Sequence, residues 1–266
     1  MGFKKNIPNA ITCGNLLCGC LAIVTAMQGN MVYAAYLVGL AAIFDFFDGF
    51  AARMLRVTSP IGKDLDSLAD MVTFGVVPGI LMYLLIKSSL FSFVSHHIKP
   101  GEEGIVGLVY VMDAAEKNYG AIGLIAYFAF LIPVFSAVRL AKFNNDTRQT
   151  SSFIGLPTPA NAILICSFPL ILRFTNSSQI SQIILNPFFL VFMCIGLSIL
   201  LIAEIPLFAL KFRTFSWVGN RTRYIFLMLC VVLLILFGFT GIPLIILLYV
   251  LMSINSNYFA KRKERA

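Results

Sequence analysis

Eight stretches of mostly apolar residues recur along this chain, at 8–28, 31–54, 64–87, 119–141, 157–174, 186–209, 223–239 and 241–259. Each is close to the length of about 20 residues that carries an α-helix across the hydrocarbon of a bilayer. Inside a membrane the backbone N–H and C=O groups find no water, so segments of this kind are restricted to helices. The expected fold is therefore all-α: a polytopic transmembrane helix bundle of about eight spans, with residues 1–266 as one domain. Composition agrees, because 59% of the residues are hydrophobic and 12% charged. A soluble domain carries roughly a quarter charged residues and needs them as its coat.

The cations orient the bundle. With the N terminus in the cytoplasm, sixteen of the 20 Lys and Arg fall on the inner side, spread over every inner connection and both termini. The outer side holds Lys87, Lys99, Lys117 and Arg173. Such a bias places both termini inside and calls for an even number of spans. The long connection 88–118 is expected to be an external loop with a short surface helix. The net charge of +8 lines one membrane face, where it would meet anionic lipid headgroups rather than nucleic acid. The basic start, Met1 to Lys5, leads into an apolar run without a small-residue cleavage site, so the first span is expected to be retained. Asn6 stands where a myristoylation signal needs Ser or Thr. The six cysteines lie inside apolar stretches without paired metal spacing, as small packing residues do. His96 and His97 fall in the polar loop.

Aspartate deep in a span costs about 2.5–3.5 kcal/mol at a helix centre, yet the second span carries Asp45 and Asp48, and the third Asp66 and Asp70. Spacings of three and four residues put each pair on one helix face. The short connection 54–63 makes the two spans antiparallel neighbours, so the pairs can face each other near the cytoplasmic end. Asp64 points away from that face. Four converging carboxylates repel unless neutralised, and two divalent cations supply the matching charge. Oxygen-only ligation suits Mg²⁺, Mn²⁺ or Ca²⁺. Such a pair can clamp a pyrophosphate during displacement at phosphorus. Gly49 and Ala52 leave room beside the carboxylates, and Arg53 offers a planar fork to a phosphate or an aspartate.

The run Asp45-x2-Asp48-Gly49-x2-Ala52-Arg53-x8-Gly62-x3-Asp66-x3-Asp70 resembles the signature of the CDP-alcohol phosphotransferase family without departure. The resemblance implies one metal on Asp45, Asp48 and Asp66, and a second on Asp45, Asp66 and Asp70, with Mg²⁺ or Mn²⁺ as cofactor. It implies that Asp70 takes the proton of the attacking hydroxyl, and that Gly49, Ala52, Arg53, Ser59 and Gly62 line the CDP site.

Two further stretches bear on the substrates. Asn9, Thr12 and Asn15 recur every three residues on the first span. They serve either as hydrogen-bonding residues between helices or as contacts to the nucleotide. The segment Arg139-Leu-Ala-Lys142-Phe-Asn144 and the turn Gly155-Leu-Pro-x-Pro-Ala160, with the opening of the first span, resemble the serine-using branch of the family. That branch implies CDP-diacylglycerol and L-serine as substrates, a homodimer, and a multi-pass protein of a bacterial cytoplasmic membrane with its site facing the cytoplasm. A serine site needs a cation for the carboxylate and acceptors for the ammonium. Arg139, Lys142 and Arg148 with Asn144 are candidates, among which the sequence does not choose. The nearest alternative is a relative using glycerol phosphate or inositol phosphate. A divalent-cation transporter is the alternative from another class, though transporter sites lie nearer the midplane on broken helices.

Overall fold

The structure, a computed structural model, describes residues 2–57, 59–95, 123–145, 152–208 and 220–264. Helix α1 (Gly2–Met27) and α2 (Met31–Leu55) are joined by three residues. Gly29 makes that turn with φ of 85°, and the N–H groups of Gly29 and Asn30 reach back to Ala26 and Thr25, a Schellman closure. The next turn uses the same pattern without a glycine. Arg56 adopts φ of 51°, with Arg56 N–H on Arg53 and Val57 N–H on Ala52. Ser59 then caps α3 (Pro60–Asp70), its Oγ accepting from Gly62 N at 2.9 Å, with Pro60 in the first turn. These two tight turns pack α2 and α3 each against α1, with α2 and α3 facing each other through their aspartates.

The chain runs from α3 through a π-helical turn, Met71–Val76, into α4 (Val77–Ser95). Pro78 lacks the N–H that would bond Phe74 four residues back, which favours a local change of winding. A 3₁₀ stretch, Leu124–Phe130, leads into α5 (Leu131–Asn145). Gly79 lets α4 and α5 touch, since a Cβ there would lie 2.7 Å from Pro133 Cδ. After β1 (Ser152–Ile154) come α6 (Thr158–Phe174), α7 (Ser178–Ile184) and α8 (Pro187–Ile202), then β2 (Pro206–Phe208). The chain ends on α9 (Arg221–Phe237) and α10 (Gly241–Glu264). The turn Gly238–Thr240 reverses direction there, and the rings of Phe226 and Tyr249 lie 5.6 Å apart, so α10 folds back along α9.

Among the described residues, five helical stretches are long and apolar enough to cross a membrane: 6–27, 31–55, 60–90, 124–145 and 221–255. A sixth is gained if α7 and α8, bent by 61°, are taken as one. The bundle is helical as expected, with one addition. Strands β1 and β2 pair antiparallel, Ser152 opposite Phe208 and Ile154 opposite Pro206. The expected span 186–209 accordingly stops at Ile202, where the chain turns extended. Gly155, at φ of 76°, fits against the end of α8, since a Cβ would lie 2.6 Å from the Leu201 carbonyl. Of the expected loop 88–118, residues 88–95 continue α4 and the remainder lies outside the described residues. The core follows membrane logic: Ala22 and Ala26 of α1 meet Ala34, Ala35 and Val38 of α2, small residues that let backbones approach.

Candidate active site

The last turns of α2 and the length of α3 bring the aspartates together. Oxygens of Asp45, Asp48 and Asp66 all lie within 4.8 Å of one another. Asp48 is buried, while Asp45 and Asp66 are half-buried. Asp70, one turn beyond Asp66, is near enough to interact electrostatically with Asp45 and Asp66. Among the described residues no ion pair offsets these four carboxylates. Oxygens around Mg²⁺ sit about 2.0–2.1 Å from it, hence no more than about 4.2 Å apart. Neighbouring oxygens in such an octahedral shell are about 3 Å apart, so carboxylates within 4.8 Å of one another would draw in by up to about 2 Å to share one cation. Hard oxygen donors, uncompensated negative charge and this spacing fit a divalent metal.

Helix α1 braces the cluster. Thr12 Oγ lies 2.7 Å from Asp48 Oδ2 and 3.0 Å from the Pro8 carbonyl. The hydroxyl has one proton, and the shorter, charge-assisted contact to the carboxylate takes it. Asn15 Nδ2 donates to Asp70 Oδ1 at 3.2 Å. Behind Asn15, Thr73 Oγ of the π-helical turn donates to the Asn15 carbonyl at 3.3 Å. Gly19 makes this approach feasible, because a Cβ there would collide with Thr73. Two members of the polar stripe are thus bonded across helices to two different aspartates.

A cleft of about 540 Å³ opens beside the triad. Its lining is Pro8, Asn9 and Thr12 of α1, Asp48, Gly49 and Ala52 of α2, then Val57, Ser59, Pro60, Gly62, Lys63 and Asp66. Nothing lies within 4 Å of a Cβ built on Gly49, whereas one on Gly62 would sit 2.9 Å from both Asn9 Oδ1 and Ser59 Oγ. Gly49 therefore keeps the cleft open and Gly62 lets α3 close against α1. Arg53 is exposed in the last turn of α2 and outside the lining residues. Lys63 does line the cleft, one turn before Asp66, and its Nζ donates to the Asn144 carbonyl at 3.0 Å. Its spacing from Asp66 was the available signal. In the sequence alone Lys63 is one of the sixteen inner-face cations.

The acceptor candidates separate. Arg139 is buried, its Nη1 3.5 Å from Thr158 Oγ and its guanidinium 5.9 Å from the Phe143 ring. Lys142 is exposed. Asn144 is engaged in a latch between α5 and α3, with Nδ2 donating to Ser67 Oγ at 2.8 Å. Arg148 lies outside the described residues. Buried Asn161 and Ser136, which carried no sequence signal beyond a polar letter in an apolar run, stand near Arg139 on α6 and α5.

Fold and site together define a helical, membrane-spanning protein with a carboxylate cluster that could hold a divalent metal beside a cleft. The chain belongs to the CDP-alcohol phosphatidyltransferase family, whose sequence model matches residues 5–195. A CDP-diacylglycerol–serine O-phosphatidyltransferase of Bacillus subtilis is 32% identical over 199 residues, covering 75% of this chain and 88% of that protein. A protein of the same description from Helicobacter pylori J99 is 33% identical over 160 residues, 59% of this chain, and the match spans 54% of its length. An archaetidylserine synthase of Methanothermobacter thermautotrophicus is 29% identical over 164 residues, 61% of this chain and 57% of that protein.

Proposed function

We propose that the protein transfers the phosphatidyl group of CDP-diacylglycerol to the hydroxyl of L-serine, giving phosphatidylserine and CMP. The observation that carries this reading is the carboxylate cluster of Asp45, Asp48 and Asp66, two of which, Asp48 and Asp66, line a cleft large enough for a nucleotide. It is supported by relatives described as serine phosphatidyltransferases.

Asp45, Asp48 and Asp66 would hold one divalent cation, and Asp45, Asp66 and Asp70 a second. When bound, such a pair stabilises the charge on the attacking and leaving oxygens. Asn9 and the open wall at Gly49 and Ala52 would take the nucleotide, with Ser59 and Gly62 at the turn. Lys63, and Arg53 at the rim, would meet its phosphates. Asp70, held by Asn15, would accept the serine hydroxyl proton as the oxygen attacks the diacylglycerol-linked phosphorus. The bond from that phosphorus to the bridging oxygen breaks, and CMP leaves with that oxygen. No covalent enzyme intermediate is needed.

This reading places eight crossings in the membrane. The bent α7–α8 pair counts as one, α9 and α10 as two because of their reversal, and the 17-residue α6 as the eighth. Both termini and the cleft then face the cytoplasm of a bacterial cell, in line with the charge bias. Two copies would pair through the largely exposed apolar faces of α9 and α10. The test is purified protein with CDP-diacylglycerol and each candidate alcohol, following CMP release and the lipid product by mass. L-Serine is expected to support turnover, with little from glycerol, glycerol phosphate or inositol phosphate. Turnover with glycerol phosphate and none with serine would overturn the acceptor assignment.

A further inference from the structure

A pair of strands as short as β1 and β2, three residues each, is marginal on its own. Three sets of contacts keep it in place. Gly155 N–H donates to the Ile205 carbonyl at 3.0 Å and Leu156 N–H to the Leu200 carbonyl at 2.9 Å. These bonds tie the chain after β1 to the last turn of α8 and the approach to β2. Leu207, in the middle of β2, is buried. From α10, Tyr249 donates its hydroxyl proton to the Phe208 carbonyl at 3.0 Å, and its ring stands edge-on to the Phe208 ring at 5.1 Å. A strand-edge carbonyl without a donor is costly in apolar surroundings, so this single bond weighs on the whole strap.

What the strap holds in turn is the start of α6. Gly155, Leu156 and Pro157 stand between the end of β1 and Thr158, the first residue of α6. Thr158 is buried, and its Oγ is the atom that Arg139 Nη1 reaches at 3.5 Å. Arg139 is close enough to Asp70 and to Tyr249 for its charge to act on both. The Tyr249 proton is committed to Phe208, so toward Arg139 the phenol oxygen can only accept. One hydroxyl thus bears on both ends of a chain of contacts that runs from β2 through β1 and Thr158 to Arg139. Neither Tyr249, Thr158, Arg139 nor any strand residue lines the cleft. Strand β2 and α10 also lie beyond residue 195, where the match to the family's sequence model ends. We propose that Tyr249 is a positioning residue of the site: through its hydrogen bond to β2 it fixes the β1–β2 strap, and with it the contact between Thr158 and Arg139. This goes beyond the transferase reading and rests on it only for the kinetic arm of the test. Because the strap is apart from the cleft, losing the brace should act on the use of serine and spare the binding of the nucleotide lipid.

The test is Tyr249→Phe in the full chain in nanodiscs, which keeps the ring and its packing and removes the hydroxyl alone. With no substrate present, hydrogen exchange at the Gly155 and Leu156 amides should quicken by about tenfold, as local opening becomes easier. The amides of Gly29 and Asn30, in the turn between α1 and α2, should stay as they are. With CDP-diacylglycerol and L-serine, kcat/KM for serine should fall by about fivefold or more, the weight of one hydrogen bond. The KM for CDP-diacylglycerol should stay within about twofold. A merely structural loss would lower the melting temperature and reduce kcat/KM for both substrates alike, and that result overturns the proposal. So does unchanged exchange at Gly155 and Leu156. Should Tyr249→Phe not fold, Gly155→Ala loosens the strap from its other end, since the new Cβ would lie 2.6 Å from the Leu201 carbonyl. It is expected to give the same split between the substrates, and equal losses for both overturn the proposal. The exchange arm uses no substrate, so a protein that turns over glycerol phosphate and ignores serine overturns the acceptor assignment without touching the brace.

Discussion

The helical run 60–90 and the hairpin 221–255 are both long, apolar stretches, and they meet opposite surroundings. In the most apolar part of the first, 67% of the residues are buried inside the protein; in the second, 11% are. The hairpin is the more apolar of the two, so the ordering is the reverse of a soluble protein's. Lipid tails are as apolar as leucine, so apolarity gives a helix no reason to leave the lipid. Polar and small residues do, because they need partners or permit close contact. The run 60–90 has such residues where it meets α1, α2 and α5, at Gly62, Asp66, Asp70, Thr73, Gly75 and Gly79. The hairpin docks through aromatic rings, around Phe208, Phe226 and Tyr249, with Tyr249 Oη donating to the Phe208 carbonyl at 3.0 Å, and at its turn, where the Phe239 ring lies 5.3 Å from that of Phe174. Elsewhere it presents Met228, Val231, Ile235 and Leu236 outward.

The largest effects are expected where the buried run carries charge. Asp66→Ala should abolish CMP release, as should excess chelator on wild-type protein. Added Mg²⁺ or Mn²⁺ should restore the wild type and fail to restore the variant. Full turnover persisting after the metal is demonstrably removed would sink the metal reading. Asp70→Asn comes next. It retains size and one oxygen but cannot take a proton, so kcat should fall by about 10²–10⁴-fold, the usual range for a general base. The KM for CDP-diacylglycerol should change far less. Near-normal kcat in that variant would remove Asp70 from the role of base.

Close packing supplies a smaller, steric difference. In Gly19→Ala the new methyl meets Thr73, which is fixed to Asn15 and through it faces Asp70. Overpacking of this kind costs about 1–3 kcal/mol, and thermal unfolding in detergent should show the loss along with reduced turnover. Gly196→Ala on α8 meets nothing within 4 Å and should be neutral or stabilise by up to about 1 kcal/mol through helix propensity. Equal destabilisation at both glycines would mean that close helix approach is not what distinguishes the site region.

The same contrast explains what the sequence made legible. Carboxylates are so costly in a span that Asp45, Asp48, Asp66 and Asp70 announce both their faces and their neighbours, and the structure places them together. The stripe Asn9, Thr12 and Asn15 was visible, and its division of labour was not, because which aspartate each would meet depends on the packing of α1 in three dimensions. Arg139, Lys142 and Asn144 look alike in the sequence as inner-face polar residues. Only helix packing separates the buried arginine from the exposed lysine and the latched asparagine. The π-helical turn left Pro78 as its sole sequence trace. The strands β1 and β2 are three residues each, too short for a period-two pattern to show.

The smallest effect belongs to the outward face of the hairpin, and it is the most useful for deciding what covers that face. Val231 is 56% exposed and Met228 is 61% exposed, both on the outward face of α9. If lipid covers them, exchanging one apolar side chain for another trades like for like. Val231→Leu and Met228→Leu should then shift stability by no more than about 0.5 kcal/mol, as surface substitutions do, with kcat and both KM values unchanged. If a second copy covers them, Met228→Leu conserves volume and stays mild, whereas the added methylene of Val231→Leu falls into a packed interface. Such volume changes cost about 1–3 kcal/mol, and the loss should depend on protein concentration and come with a shift from dimer to monomer by native mass measurement. A concentration-dependent loss in Val231→Leu would therefore move the hairpin from the lipid-facing half of the comparison to the buried half. A shift within 0.5 kcal/mol at every concentration would leave lipid as what faces it.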